Sequence, residues 1–353
     1  MNKPNLFIVG AARCGTTSLW QYLKIHPAVY IPEDELLKEP TFFSREGGPK
    51  LELSDYLSIF KSAAENHKWI GEASVAYLTD PGTAQRICEF NPDAKIIIML
   101  RNPALRAFSL YNWMTQEGYE YASSFQEALK LEETRVNQKK SDWYKPNYYW
   151  GYLYFNSGLY HDQVKRYLDL FKENALLIKF EDFARDPLCS YREVCSFLHI
   201  PEAPFPIYVH NPSRSARSAR ILFILRKLNN YIIRENKGGV PLKKISEDIN
   251  GVYRETVDKL ARVAPLSIHE KFLGRSISKK VADFLKNFPG QYPYKEIVSK
   301  LERDQLMHLG LKTGKPPTLN NRVRKHLLKK FAPDIEKLSD LTGRDWSEWL
   351  NDR

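Results

Sequence analysis

Eight residues near the beginning of the chain, Gly10-Ala11-Ala12-Arg13-Cys14-Gly15-Thr16-Thr17, have the types and spacing to hold an anion. They follow the apolar run Leu6-Phe7-Ile8-Val9 and open a helical pattern over Thr16–His26, with Pro27 beyond it. A strand, a glycine turn and a helix start together turn backbone N–H groups and a favourable dipole toward a phosphate. The hydroxyls of Thr16, Thr17 and Ser18 add hydrogen bonds, and Arg13 adds a permanent charge. The glycine spacing is that of a P-loop, but Thr16 stands where the lysine belongs. Cys14 reads as a small packing residue of the loop. A ligand-free glycine turn joining strand to helix is the plainer alternative.

A second set of residues bears on the choice. The apolar run Ile96-Ile97-Ile98-Met99-Leu100 ends in Arg101-Asn102-Pro103. A P-loop NTPase needs an aspartate after such a strand to hold magnesium. Arg101 would repel a metal and attract another phosphate. Ser109 lies eight residues on, in a helix that Pro103 can start near its first turn. Arg101 and Ser109 can then share one phosphate, and the two sites together imply a nucleotide phosphorylated at two positions and held without a metal. Glu181-Asp182, after a third apolar run at Leu176-Leu177-Ile178, could imitate a magnesium carboxylate, but a turn or helix-capping role is the preferred reading. The eight histidines form no metal-binding motif, and His26, followed by Pro27, reads as a helix C-terminal feature.

The elements that must position these groups alternate. Strand-like runs at Leu6–Val9, Ile96–Leu100 and Leu176–Ile178, with a weaker fourth at Trp69–Tyr77, are separated by helical patterns such as Ser124–Gln138 and Leu159–Phe171. The expected fold class is α/β: a P-loop-like parallel sheet flanked by helices, with a mainly helical basic extension. The chain reads as a single domain over 1–353, its core in 5–215 and 308–350 and the extension in 216–307. The last segment resumes a helix-plus-cap pattern, Asn320–Leu341 followed by Gly343.

Charge is concentrated late. Residues 211–330 carry 27 Lys and Arg against 10 Asp and Glu, whereas residues 1–210 carry 23 against 26. Such a segment suits an anionic ligand or acceptor, or it is a set of solvated helix faces. No apolar stretch approaches the ~18 residues of a membrane helix. The first residues run straight into a strand-like segment with no leader pattern. The four cysteines lack disulfide-framework spacing. A cytoplasmic protein without a transmembrane segment is expected.

Phe7–Leu19 together with Lys95–Tyr111 resembles the paired cofactor signature of sulfotransferases that use 3′-phosphoadenosine 5′-phosphosulfate (PAPS), in particular bacterial members related to heparan-sulfate and other carbohydrate sulfotransferases. His26-Pro27, Lys38-Glu39-Pro40-Thr41-Phe42-Phe43, Gly158-Leu159-Tyr160, Phe180-Glu181-Asp182-Phe183 and Gly343-Arg344-Asp345-Trp346 fall in the family's order. The resemblance implies that Arg13, Cys14, Gly15, Thr16, Thr17 and Ser18 hold the 5′-phosphosulfate, and that Arg101 and Ser109 hold the 3′-phosphate. It also implies that Lys312-Thr313-Gly314-Lys315 closes over the 3′-phosphate. Arg13 replaces the usual lysine and is expected to stabilise charge rather than donate a proton. Glu39 matches the general base of the glycan-modifying branch, against the alternative of a helix-end or salt-bridge carboxylate. Ala73 stands where that branch tends to have lysine, so the acceptor chemistry does not transfer directly.

Glu72 reads equally as a second acidic group at the site or as a strand-end carboxylate. Trp143–Phe155 holds eight aromatics in thirteen residues, suited to an acceptor wall or to packing. Asn211-Pro212-Ser213-Arg214, with Arg217, is a further basic turn that could border the nucleotide. The expected acceptor is a carbohydrate or small molecule, with no nucleic-acid partner, and the extension offers a lid or homodimer surface. Two other functions stay open: a P-loop phosphotransferase, and a polyanion-binding protein built on residues 211–330.

Overall fold

Leu6–Gly10 forms strand β1 and Lys95–Leu100 forms β4, and the two pair in parallel with Leu6 opposite Lys95 and Ile8 opposite Ile97. The computed structural model describes residues 2–32, 39–45, 51–120, 122–137, 149–203, 215–216, 311–312 and 317–351. Both runs are continuously apolar because both faces of this sheet are covered. Ile96, Ile97, Ile98, Met99 and Leu100 are all fully buried, each contributing about 1.5–3 kcal/mol of transfer free energy.

The full sheet is five parallel strands in the order β2-β3-β1-β4-β5, with β2 at Val29–Tyr30, β3 at Trp69–Ala73 and β5 at Ala175–Lys179. The chain moves from β1 to one side of the sheet and then crosses to β4 on the other. That reversal makes the carboxyl end of β1 a topological switch point, where open α/β sheets bind ligands. The Gly10–Thr17 loop and Arg101 both lie at this edge. The expected α/β class with a parallel sheet is the observed one.

Helix α1 spans Thr16–Lys24, two residues short of its predicted end, because His26 and Pro27 start the turn into β2. The predicted fourth strand ends early: β3 stops at Ala73, and one helical turn, α3 (Ala76–Thr79), takes the remainder. Between these lies α2, Leu53–Ser58, and beyond α3 lies α4, Thr83–Phe90. Helix α5, Pro103–Gln116, starts at the predicted proline. Helices α6 (Phe125–Asn137) and α7 (Tyr160–Phe171) match their patterns within a residue. After β5 come α8 (Phe180–Arg185) and α9 (Pro187–Leu198).

The chain divides into two compact units: Met1–Tyr111, Ser124–Pro212 and Thr318–Arg353 in one, and Asn112–Ser123 with Ser213–Pro317 in the other. The first holds the parallel sheet and the closing helix α10, Asn321–Thr342, whose C-cap is Gly343 at φ 63 as its sequence position implies. In the second, Ser215–Ala216 (β6) pairs antiparallel with Leu311–Lys312 (β7). The remainder of the basic extension lies outside the described residues. Among the described residues no helix is long and apolar enough to cross a membrane.

Candidate functional site

The phosphate loop needs both its glycines. Gly10 sits at φ 140, and a Cβ there would lie 2.9 Å from the Leu78 Cβ. Gly15 sits at φ 84 as the N-cap of α1, and a Cβ there would meet the Phe180 ring at 3.1 Å. These positions demand glycine for backbone and for space. Helix α1 starts with no side-chain cap at Gly15, and Ser18 N–H donates to the Gly15 carbonyl at 3.0 Å. Ala11 N–H donates to the Met99 carbonyl at 2.7 Å, which ties the loop to β4.

Arg13, Arg101 and Ser109 converge. Arg13 Nε donates to Ser109 Oγ at 3.3 Å, and Arg101 Nη1 donates to the Arg13 carbonyl at 3.3 Å. Arg13 also holds a left-handed backbone, φ 68, which for a residue with a Cβ costs of order 1–3 kcal/mol and persists where the surroundings enforce it. The sequence placed Arg13 with the 5′ group and Ser109 with the 3′ group. The structure puts the Arg13 side chain at Ser109. Cys14 is fully buried behind the loop, and burial pushes its thiol up to about 12, consistent with a packing role.

The end of β4 is held from several sides. Arg101 lies over the Phe180 ring at 4.6 Å, and Tyr160 O–H donates to the Arg101 carbonyl at 2.9 Å. Asn102 Oδ1 accepts from Ala104 and Leu105 N–H, capping α5 one residue before Pro103. Glu181 accepts from Asn102 N–H at 2.9 Å and from Trp349 Nε1 at 3.1 Å. Asp182 pairs with Arg185. Glu181 therefore ties the Asn102 amide to the closing segment and Asp182 makes an i,i+3 ion pair, and neither side chain caps α8 as the sequence reading expected. The closing segment reaches the same place: Asn102 Nδ2 donates to the Trp349 carbonyl, and Lys179 pairs with Glu348. His26 is buried with Nδ1 accepting from Ala28 N–H and Nε2 facing the Pro201 carbonyl at 2.8 Å, so it caps a turn as expected.

A second cluster forms one strand away, at the end of β3. Glu39 is half-buried at the head of Pro40-Thr41-Phe42-Phe43. The two phenylalanines anchor that segment: Phe42 stacks on Tyr56 at 4.2 Å, and Phe43 packs edge-on to Phe7 and Tyr77. Its amides are held too. Thr41 N–H donates to Ser74 Oγ at 3.1 Å, and Phe43 N–H to the Tyr77 hydroxyl at 3.3 Å. Asp80 takes Ser44 Oγ and Arg45 N–H at the far end, at 2.9 and 2.8 Å.

Glu72 is buried beneath this segment. It accepts from Ser74 Oγ at 2.7 Å and from the Tyr56 hydroxyl, and it interacts with the Tyr77 hydroxyl. Burial pushes its carboxyl up to about 7, against the pull of those hydroxyls, and the Glu39 charge adds to the rise. The two clusters are neighbours, because Gly10 packs on Leu78 and the Val75 carbonyl.

Sequence reasoning did not foresee the hydroxyl set of Tyr56, Ser74 and Tyr77. The available signal was a glutamate inside an otherwise apolar strand, which must find donors. In the aromatic stretch, Trp150, Tyr152 and Tyr154 are buried, and Phe155 stacks on Phe331 at 4.5 Å, so these four pack against the protein. Lys312 lies in β7. Thr313, Gly314 and Lys315, the Asn211–Arg214 turn with Arg217, and Trp143, Tyr144 and Tyr148 lie outside the described residues.

A parallel α/β sheet with a glycine turn and two arginines at its switch point is a fold of the P-loop kind. More narrowly, the chain belongs to the sulfotransferase family: residues 3–228 match the sulfotransferase domain. A crystal structure of a sulfotransferase from Alicyclobacillus acidocaldarius superposes with a TM-score of 0.60 and 29% identity, covering 99% of this chain and 100% of that one. The membrane-associated sulfotransferase kil1 of Dictyostelium discoideum is 34% identical over 115 residues, 32% of this chain and 23% of that protein. Carbohydrate sulfotransferase 15 of Mus musculus is 26% identical over 256 residues, 56% of this chain and 44% of its own length. The chain thus spans less than half the length of these curated relatives.

Proposed function

We propose that the protein moves a sulfuryl group from PAPS to a hydroxyl or amine of a carbohydrate or small-molecule acceptor. The observation that carries this reading is the convergence of Arg13, Arg101 and Ser109 beside the glycine loop, with Arg101 ending the strand where an NTPase would need a magnesium aspartate. The donor set fits a bisphosphorylated nucleotide: backbone amides and hydroxyls of Gly15–Ser18 for the 5′ end, and Arg101 and Ser109 for the 3′-phosphate. The donor supplies an electrophilic sulfur whose leaving group is a phosphate.

Arg13 spans the two phosphate sites and stabilises the negative charge that grows on the leaving oxygen. Its guanidinium remains protonated throughout, so the leaving group departs as an anion and takes no proton from it. Glu39 accepts the acceptor's proton as the acceptor atom bonds to sulfur, a role worth typically 10²–10⁴-fold. Adenosine 3′,5′-bisphosphate leaves, held by the residues that bound the donor. Carbohydrate acceptors enter this reading through the likeness to the murine carbohydrate sulfotransferase 15, and small molecules through Ala73, where the glycan-modifying branch tends to have lysine.

Sulfur-labelled donor, incubated with the protein in excess chelator against a panel of sugars, alcohols and amines, tests the proposal. The expected result is label on an acceptor and release of the bisphosphate. Donor left unconsumed across the panel, or transfer only from ATP with magnesium, would contradict it.

A further inference from the structure

Donor binding leaves Glu72 unused, yet this buried carboxylate accepts from the Ser74 and Tyr56 hydroxyls and interacts with that of Tyr77. We propose that Glu72 is a positioning residue for the transfer: through the Ser74 and Tyr77 hydroxyls it holds the backbone segment that presents Glu39. The inference rests on the reading of Glu39 as general base.

The argument is one of hydrogen-bond polarity. A backbone N–H can only donate, and a hydroxyl has one proton to give. Thr41 N–H donates to Ser74 Oγ, and Ser74 O–H donates onward to Glu72 Oε1 at 2.7 Å. Phe43 N–H donates to the Tyr77 hydroxyl, which in turn interacts with the Glu72 carboxyl. The Tyr56 hydroxyl from α2 gives Glu72 a third proton donor. Three hydroxyls turned toward one group require a partner that accepts only, and an ionised carboxylate is that partner.

Glu72 therefore sets the direction of two relays that end on the amides two and four residues beyond Glu39. The segment needs such anchors. Thr41 sits at φ 52, a left-handed conformation that a β-branched residue adopts only when its surroundings impose it.

The groups facing Glu72 are Tyr56 from α2, Tyr77 from α3, Ser74 after β3, Tyr167 from α7 and Glu39 itself. A protonated Glu72 carries a proton that needs its own acceptor, so one of the three hydroxyls has to reverse. The grip on the Thr41 and Phe43 amides then loosens. Burial raises this carboxyl to about 7. Turnover should fall as pH drops through that point, in a step that belongs to Glu72.

Glu72→Gln tests this, assayed by label transfer from PAPS to the acceptor panel between pH 5 and 9, with calorimetric affinity for adenosine 3′,5′-bisphosphate measured alongside. The expected result is kcat at pH 8 reduced about tenfold or more, with bisphosphate affinity unchanged and the acid limb of the kcat profile moved to lower pH. A reduced kcat with the acid limb in its wild-type place would mean a merely structural carboxylate and would overturn the inference. So would an unchanged kcat.

If Glu72→Gln fails to fold, Ser74→Ala removes one relay alone. It should lower kcat about threefold to tenfold at constant bisphosphate affinity, and an unaffected kcat overturns the proposal. Glu39→Gln separates the two readings. Near-normal turnover in that variant sinks the base assignment and this inference with it. An inactive Glu39→Gln beside a wild-type-like Glu72→Gln sinks this inference alone.

Discussion

At the carboxyl ends of β1 and β4 the candidate donor site is made of backbone amides, hydroxyls and arginines. One strand away, beyond β3, the neighbouring cluster is made of two carboxylates and three hydroxyls. The first set presents guanidinium charges and backbone amides. The second titrates, because Glu72 is buried and faces Glu39. The difference separates holding from reacting: affinity for the nucleotide should be nearly flat across neutral pH while turnover is not. It also separates how each cluster tolerates substitution. Amides and glycines are fixed by backbone geometry, whereas the carboxylate cluster depends on which atom carries each proton.

The largest effect should come from the acceptor side. Glu39→Gln is expected to lower kcat about 10²–10⁴-fold while leaving bisphosphate affinity within about twofold of wild type, measured by label transfer and calorimetry. A parallel loss of affinity would break the separation of the two clusters.

Next is the donor side. Gly15→Ala forces a Cβ against Phe180 at a backbone φ of 84 and should cost ~1–3 kcal/mol of stability. Bisphosphate affinity should fall with it, because the start of α1 has to move. Thermal unfolding and calorimetry would show both, and wild-type values in both would mean that the loop does not need its glycine there.

A third effect concerns stability against pH. The folded-state carboxyl of Glu72 is raised from 4.5 to about 7, so the folded protein binds this proton more tightly than the unfolded chain. Its contribution is therefore full below about 4.5 and is lost as pH rises through about 7. Glu72→Gln should remove that downward slope, worth at most ~3 kcal/mol across the window. Denaturant titrations at pH 5 and 8 measure it, and equal pH slopes in the two proteins would contradict the assignment.

Much of the scaffold could be read from the chain because the central strands β1 and β4 are buried on both faces and leave continuous apolar runs. Strand β2 could not, since two residues carry no period and Val29 finds its partner at Trp69, forty residues on. The run Trp69–Tyr77 misled for a related reason: an apolar stretch does not say where a strand gives way to a helical turn. In the site, Arg13, Arg101 and Ser109 were legible because loop, strand end and helix start each have a local signature. The ring of Tyr56, Ser74 and Tyr77 around Glu72 was not, because its members come from three elements with no shared spacing. The bonds from Tyr160 to Arg101 and from Trp349 to Glu181 likewise join residues 59 and 168 positions apart.

The most direct test of the central claim is calorimetric titration of the protein with adenosine 3′,5′-bisphosphate in excess chelator, beside Arg101→Ala. Metal-free binding by the wild type, weakened about tenfold to a hundredfold in Arg101→Ala, is the predicted result. No binding without magnesium, or equal affinity in the variant, would contradict it.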